Sequence, residues 1–367
     1  MQINYYKLNE LCIDIIDCPH STPQWKNNGI RVIRNFNLKN GNLDFSDGFF
    51  VDEETYSERI KRAIPEEGDI IVSREAPMGV VAIVPKGLKC CLGQRLVLLK
   101  INKEKISPFY LLHILMSNFV QTQFRRADAT GSIVSNLCIP DLKEIIIPVI
   151  DKGQETVAKL LENINKKIQI NTVINDNLAQ IVKCCFDYMF ATQKPNGILR
   201  DILCENAKST IQVNDSAGVL GDYPFFTSGE AINEWKTALV DGMNCYLSTG
   251  GNASIKGYYG KAAYSTDTWC VYGKCDYSFY LYCYLKSIIR SINDSFFAGS
   301  GLKHLQKDSL ILVNLYIPTE NELKKFNSVA KPAMETMAKL FIETKKLKQQ
   351  RDFLLPLLMN GQATIAE

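Results

Sequence analysis

A chain of 367 residues is too long for one ordinary core and about right for two domains. With 46% hydrophobic and 22% charged residues the composition is that of a folded soluble protein. No apolar run reaches the ~18 residues of a membrane span, and Met1–Glu10 lacks the basic start and apolar stretch of a secretory signal, so the expected compartment is the cytoplasm. A net charge of +3 does not announce a nucleic-acid binder; any positive surface must be gathered in patches.

In chain order, Gly29-Ile30-Arg31-Val32-Ile33-Arg34 opens the first half, and Gly68-Asp69-Ile70-Ile71-Val72-Ser73 then runs into Gly79-Val80-Val81-Ala82. Both are β-type runs punctuated by glycine. Phe109-Tyr110-Leu111-Leu112, followed by Leu115 and Ser117, predicts an amphipathic helix. Gly131-Ser132, Leu137, Leu142 and Ile147-Pro148 come next. Asp151, with Gln154 three residues on, suits a helix start. Val157, Leu161, Ile164, Ile168, Asn171, Asn175, Leu178, Val182 and Cys185 then follow a 4-3-4-3 spacing, a heptad seam with two polar interruptions.

The second half repeats the plan. Tyr223-Pro224-Phe225 opens it, followed by Cys245-Tyr246-Leu247-Ser248, Gly250-Gly251 and Gly260-Lys261-Ala262-Ala263. Phe279-Tyr280-Leu281-Tyr282, with Leu285 and Ser287, matches the earlier helix residue for residue in spacing. Gly299-Ser300, Leu305, Leu310 and Ile317-Pro318 complete the copy. Thr319 and Glu322 form a capping-box pattern. Pro332 predicts the start of a fresh helix, because proline belongs in a first turn and not mid-helix. Met337, Leu340, Leu347, Leu354 and Leu358 continue a seam that Pro356 and Gly361 should break.

A lag of about half the chain signals a duplication and not a solenoid. The expected fold is mixed α+β: a first domain over 1–150, a spacer helix over 151–194, a second domain over 195–318 and a C-terminal helix over 319–367. Each domain should hold a small twisted sheet. The long helices either cap their own domains or, as seam length favours, pair as an antiparallel coiled coil.

Several segments together resemble the type I restriction–modification specificity subunits, the HsdS-like proteins. They are Gly68–Arg74, Leu92-Gly93-Gln94-Arg95-Leu96, Gly131-Ser132 with Asn136-Leu137, Tyr223–Gly229, Gly299–Leu305 and Arg351–Gly361. No single motif is specific; their order, duplication and alternation with helices are. The resemblance covers nearly the whole chain. It implies that each target-recognition domain reads half of a split site in double-stranded DNA. The helices would set spacing and dock two methyltransferase (modification) subunits, with restriction subunits joining that complex. The chain itself would not be an enzyme and would carry no cofactor. The differing openings imply that the halves read different sequences.

Base edges are read by Arg, Lys, Asn or Gln, and phosphates by any donor. In the first domain the candidates are Arg31, Arg34, Asn35, Arg59, Lys61, Arg62, Arg74, Arg95, Arg125 and Arg126. In the second they are Thr227, Ser228, Lys236, Asn252, Ser254, Lys256, Lys261, Lys303 and His304. Glycine-rich Ser248–Ser254 would also let backbone donors approach a phosphate. The plain alternative at each position is a solvated charge or a turn.

Other chemistries are less well supported. Phe297-Ala298-Gly299-Ser300-Gly301 mimics the glycine motif of S-adenosylmethionine-dependent methyltransferases, which needs a strand before it and a helix after it. A methyltransferase and a helical scaffold without a DNA role are therefore the two rival readings. No Asn-Pro-Pro-aromatic segment and no Gly-x-x-x-x-Gly-Lys-Ser/Thr loop occurs. The twelve cysteines form no Cys-x-x-Cys pair and the three histidines are scattered, which speaks against zinc and for buried free thiols.

Overall fold

A computed structural model describes residues 3–75, 77–127, 136–299, 301 and 303–359. The chain divides into two compact units, Met1–Ile168 with Lys346–Glu367, and Gln169–Lys345. Each long helix thus contributes one segment to each unit.

The first unit is built on β1 (Cys12–Asp17), β2 (Ile30–Ile33), β3 (Phe49–Val51), β4 (Ile70–Ser73), β5 (Val81–Ile83), β6 (Cys90–Leu92) and β7 (Leu96–Ile101). A four-stranded antiparallel sheet has the order β1-β7-β4-β5, and a three-stranded sheet has the order β3-β2-β6. Period-two alternation explains their packing. Ile70, Val72, Val97 and Leu99 face a helical layer, while Ile71, Leu96 and Leu98 pack with Ile33, Cys90 and Leu92 of the smaller sheet. That is why Ile70–Ser73 reads as an unbroken apolar run: both of its faces are covered. The helical layer includes α1 (Pro108–Leu115) and α2 (Asn118–Ala127). Ser107 caps α1 and Pro108 occupies its first turn.

After α3 (Gln154–Phe190), the second unit repeats this order with β8 (Leu203–Glu205), β9 (Tyr223–Phe226), β10 (Ile232–Trp235), β11 (Met243–Ser248), β12 (Ile255–Tyr259), β13 (Ala263–Tyr264) and β14 (Thr268–Gly273). Its sheets run β8-β14-β11-β12 and β10-β9-β13. Helices α4 (Ser278–Ser287) and α5 (Ile289–Ser295) follow, and α6 spans Glu320–Met359. Cys245, Leu247, Trp269 and Val271 face the helices, and Tyr246 and Cys270 face the small sheet.

The duplication extends to individual hydrogen bonds. The Leu137 amide donates to the Arg74 carbonyl at 3.0 Å, and the Leu305 amide donates to the Thr249 carbonyl at 3.0 Å. Tyr110 and Tyr280, equivalent in the repeat, are both buried, and both hydroxyls meet backbone near the Ile-Pro end of their copy, at Ile150 and Tyr316. The unlike openings are also equivalent: β2 pairs parallel with β6, and β9 pairs parallel with β13.

Within the second unit the segments of α3 and α6 run antiparallel. Phe186 and Phe190 pack on Phe326 with ring centroids 6.2 and 5.5 Å apart, and Asn171 Nδ2 reaches Glu343 at 2.8 Å. Asn171 is fully buried in the predicted seam. Thr319 and Glu322 cap α6 reciprocally, at 2.8 and 3.4 Å. Helix α3 starts at Gln154, where the sequence placed a start, and the Gln154 side chain bonds Ile150 and Ser107. Two expectations need correction. Pro332 starts no helix, because α6 passes through it. Pro332 and Ser328, whose helical partner it removes, are both solvent-exposed, so water can satisfy the freed Ser328 carbonyl. Pro356 likewise lies inside α6 and does not end it. Gly131, Ser132, Ser300 and Gly361 lie outside the described residues. Among the described residues no helix is long and apolar enough to cross a membrane.

Candidate nucleic-acid interface

In the first unit, Arg31 and Arg34 sit on and just after β2, and both are held by aromatic rings. The Arg34 guanidinium carbon lies 4.7 Å from the Phe49 centroid, 5.1 Å from Phe36 and 5.5 Å from Trp25. Arg31 lies 4.9 and 5.0 Å from Phe45 and Phe50 and donates to the Asp47 carbonyl at 3.1 Å. Asn37 organises the adjoining loop by donating to the carbonyls of Asp44 and Asp47 and accepting the Arg34 amide. Asn35 begins the short 3-10 turn between them.

A second group gathers at the end of β1. Arg74 pairs with Asp17 at 3.0 Å and donates from Nε to the Leu137 carbonyl at 3.0 Å. Arg62 reaches the Asp17 carbonyl at 3.4 Å. Arg95 adopts a left-handed φ of 67° and meets Glu75 at 3.2 Å, with its side chain half exposed. Lys61 pairs with Glu58 on the surface. Arg125 bonds Thr122, and Arg125 and Arg126 are both exposed at the end of α2.

Arg59 requires a correction. It is 7% exposed, and its guanidinium donates twice to the Leu92 carbonyl and once to that of Ser21. Every nitrogen is committed to the fold, so the side chain cannot serve as a DNA contact without breaking it. Arg74, with a side chain only 14% exposed, commits Nε to the Leu137 carbonyl and Nη1 to Asp17.

In the second unit the glycine-rich turn is pinned by the chain after Gly299. The Gly251 amide donates to the Lys303 carbonyl, and Gly250 bridges His304. Exposed Asn252, Lys303 and His304 are thereby brought together. The expectation that this turn offers backbone donors is narrowed to Gly250 and Asn252, because the amides of Thr249, Gly251, Ala253 and Ser254 are spent internally, on Asp267, Lys303, Asn293 and Ser248. Thr227 is buried and donates to the Ala231 carbonyl, and Ser228 donates to the Asp267 carbonyl. Lys256 donates to the Thr227 and Gly229 carbonyls, and burial lowers its pKa. Lys236 and Lys261 are exposed and lie away from this group in sequence.

Sequence reasoning passed over the rings around Arg31 and Arg34. It also passed over Lys307, whose Nζ sits 4.9 Å above the buried Trp269 ring beside a cavity of about 250 Å³. The density of aromatics between Trp25 and Phe50 was the available signal. Of the methyltransferase-like segment, Phe297–Ala298 pairs with His304–Leu305 in a two-stranded ribbon, and among the described residues the next helix is Lys307–Leu310, after that ribbon. That is the wrong setting for a cofactor loop.

Residues 2–180 match the type I restriction modification DNA specificity domain. A putative MjaX type I specificity subunit of Methanocaldococcus jannaschii is 30% identical over 116 residues, covering 31% of this chain and 26% of that protein. The MjaIX specificity subunit of the same organism is 23% identical, covering 86% of this chain and 82% of its own length. The chain thus spans about a quarter of the first relative and most of the second. The crystal structure of an S subunit from M. genitalium shares the fold, with a TM-score of 0.64 at 14% identity over 97% of this chain and 95% of that one.

Proposed function

We propose, from the match of residues 2–180 to the type I restriction modification DNA specificity domain, that the whole chain is a specificity subunit whose two units each read one half of a bipartite site in double-stranded DNA. The supporting observation is the duplication of one three-layer scaffold with different chemistry at matched positions. Arg34 follows β2 where Thr227 follows β9, and the rings around Arg34 have no counterpart at Thr227. A repeated frame carrying unlike side chains suits a protein that reads two different half-sequences.

In this reading phosphate contacts set the register, and exposed groups read base edges. The first unit would use Arg31, Arg34, Arg62, Arg95, Arg125 and Arg126, and the second Asn252, Lys261, Lys303 and His304. Asn35, Lys61, Ser228, Lys236, Ser254 and Lys256 stay candidates for peripheral contacts. The helices act as spacer and as docking surface for two modification subunits, which carry out methyl transfer, and restriction subunits join that complex. The site of action is the cytoplasm. Mapping methylated positions in the host genome with and without this gene tests the proposal. Loss of one bipartite motif is the expected result; an unchanged methylome refutes it.

A further inference from the structure

The ring cluster around Arg34 carries more than a general DNA contact. Trp25, Phe36 and Phe49 surround the guanidinium and also touch one another, with Phe49 4.8 Å from Trp25 and 5.8 Å from Phe36 in edge-on packing. Trp25 and Phe36 are each 37% exposed, so the ring cluster and the guanidinium it holds lie at the surface. Gly93 leaves room for the Arg34 stem: a Cβ there would lie 3.0 Å from Arg34 Cγ and 2.9 Å from the Ile33 carbonyl oxygen. The position is therefore shaped around this side chain.

The Arg34 guanidinium donates no hydrogen bond to any acceptor among the described residues. Arg59 and Arg74, by contrast, spend theirs on backbone carbonyls and Asp17. Rings attract a guanidinium through their faces and leave its in-plane N–H edge for another partner. The side chain is thus fixed in orientation before a ligand arrives, which removes much of the rotamer entropy that binding would otherwise cost. A fixed planar fork of donors matches one base edge above all, the O6 and N7 acceptors of guanine in the major groove.

From this geometry we infer that Arg34 is the guanine-specifying residue of the first unit, with Trp25, Phe36 and Phe49 as the positioning residues that orient it. The inference rests on the DNA-reading function proposed above and names the base. It also predicts asymmetry. Thr227, the matched residue of the second unit, turns its hydroxyl inward to the Ala231 carbonyl, so a guanine contact from this strand position belongs to one half-site alone.

Selection from a random duplex library by the full chain, with and without modification subunits, tests it at matched salt. Wild-type chain should select a bipartite site with a fixed guanine in one half. Arg34→Ala should relax that position to any base, weaken binding to the original site by roughly 5- to 150-fold, and leave the other half-site intact. Arg34→Lys keeps the charge without the fork and should recover salt-dependent affinity more than discrimination. Trp25→Leu with Phe36→Leu should weaken discrimination while Arg34 is still present. A uniform loss across all sequences that lysine restores would make Arg34 a phosphate contact and overturn the inference. An unchanged selected site would also overturn it, leaving the broader reading intact. If wild-type chain selects no sequence at all, both fall. Thermal unfolding of each variant separates these outcomes from misfolding.

Discussion

Ser73 and Ser248 close the same hairpin in the two units. Each is buried; the Ser73 hydroxyl donates to the Pro77 carbonyl at 2.6 Å and accepts the Val80 amide at 2.9 Å, while the Ser248 hydroxyl donates to the Asn252 carbonyl at 2.7 Å and accepts the Ser254 amide at 2.9 Å. One hydroxyl thus satisfies a donor and an acceptor in each turn. Ser73→Ala and Ser248→Ala should each cost about 1–3 kcal/mol, because alanine leaves the amide and the carbonyl unpaired. Amide exchange checks this locally: Val80 should lose protection in the first variant and Ser254 in the second, each in its own unit.

Arg59 and Arg74 should behave as structural residues. Arg59→Met strands the Leu92 carbonyl in a buried site, and Arg74→Ala leaves the Leu137 carbonyl without this donor and Asp17 with His20 as its remaining side-chain partner. Arg59→Met should lose about 2–4 kcal/mol of stability, in the range expected for breaking a buried hydrogen-bond network, and Arg74→Ala about 1–3 kcal/mol. The salt dependence of DNA binding by the molecules that remain folded should not change. A slope lowered by about one unit in either variant would instead identify a phosphate contact.

Local signals were legible in the sequence and tertiary ones were not. Thr319 and Glu322 could be paired by eye because a capping box depends on four consecutive residues. The strand Ile70–Ser73 and the match of Tyr110 to Tyr280 followed from composition and spacing alone. Pro332 could not be placed, since its effect depends on which helix face meets water. Arg34 and Arg59 look alike along the chain, each near a β-type run. What separates them is that Leu92 and Ser21 converge on one and Trp25, Phe36 and Phe49 on the other. Similarly, Ile30–Ile33 and Tyr223–Phe226 share no pattern, yet each forms the middle strand of the small sheet because period-two burial accepts many residues.

His113 makes stability pH-dependent. It is buried, its Nε2 has no partner among the described residues, and burial pushes its pKa down to about 4, with Glu162 opposing and Arg351 reinforcing the shift. An unfolded chain binds this proton near pH 6.5, so between about 4 and 6.5 the unfolded state holds more protons. Stability from this group is complete above pH 6.5 and is lost as pH falls towards 4, by on the order of 3 kcal/mol. His113→Met should flatten the denaturation midpoint between pH 7 and 5. An equal slope in both proteins would assign the acid sensitivity to other groups.

Where the second unit is cut decides whether it can be exchanged. Its core does not end where the helices begin. Phe186 and Phe190 of α3 pack on Tyr280 at 5.5 and 5.1 Å, and Phe326 of α6 joins the same cluster. An exchange confined to residues 195–318 takes Tyr280 from one protein and its neighbours Phe186 and Phe190, with Phe326 packed on them, from another. Any mismatch in that buried cluster should cost a few kcal/mol, the scale of an aromatic core substitution. Exchanging 169–345 instead carries the whole cluster, together with the Asn171–Glu343 hydrogen bond and the Lys345–Glu234 ion pair. The longer exchange should melt within a few degrees of the parent and change one half of the recognised sequence only. The shorter one should change the same half but unfold at lower temperature. Methylation mapping and thermal melts of both chimaeras decide the matter: altered specificity in both halves would contradict independent reading by the two units, and equal stability would show that the aromatic cluster tolerates a mixed origin.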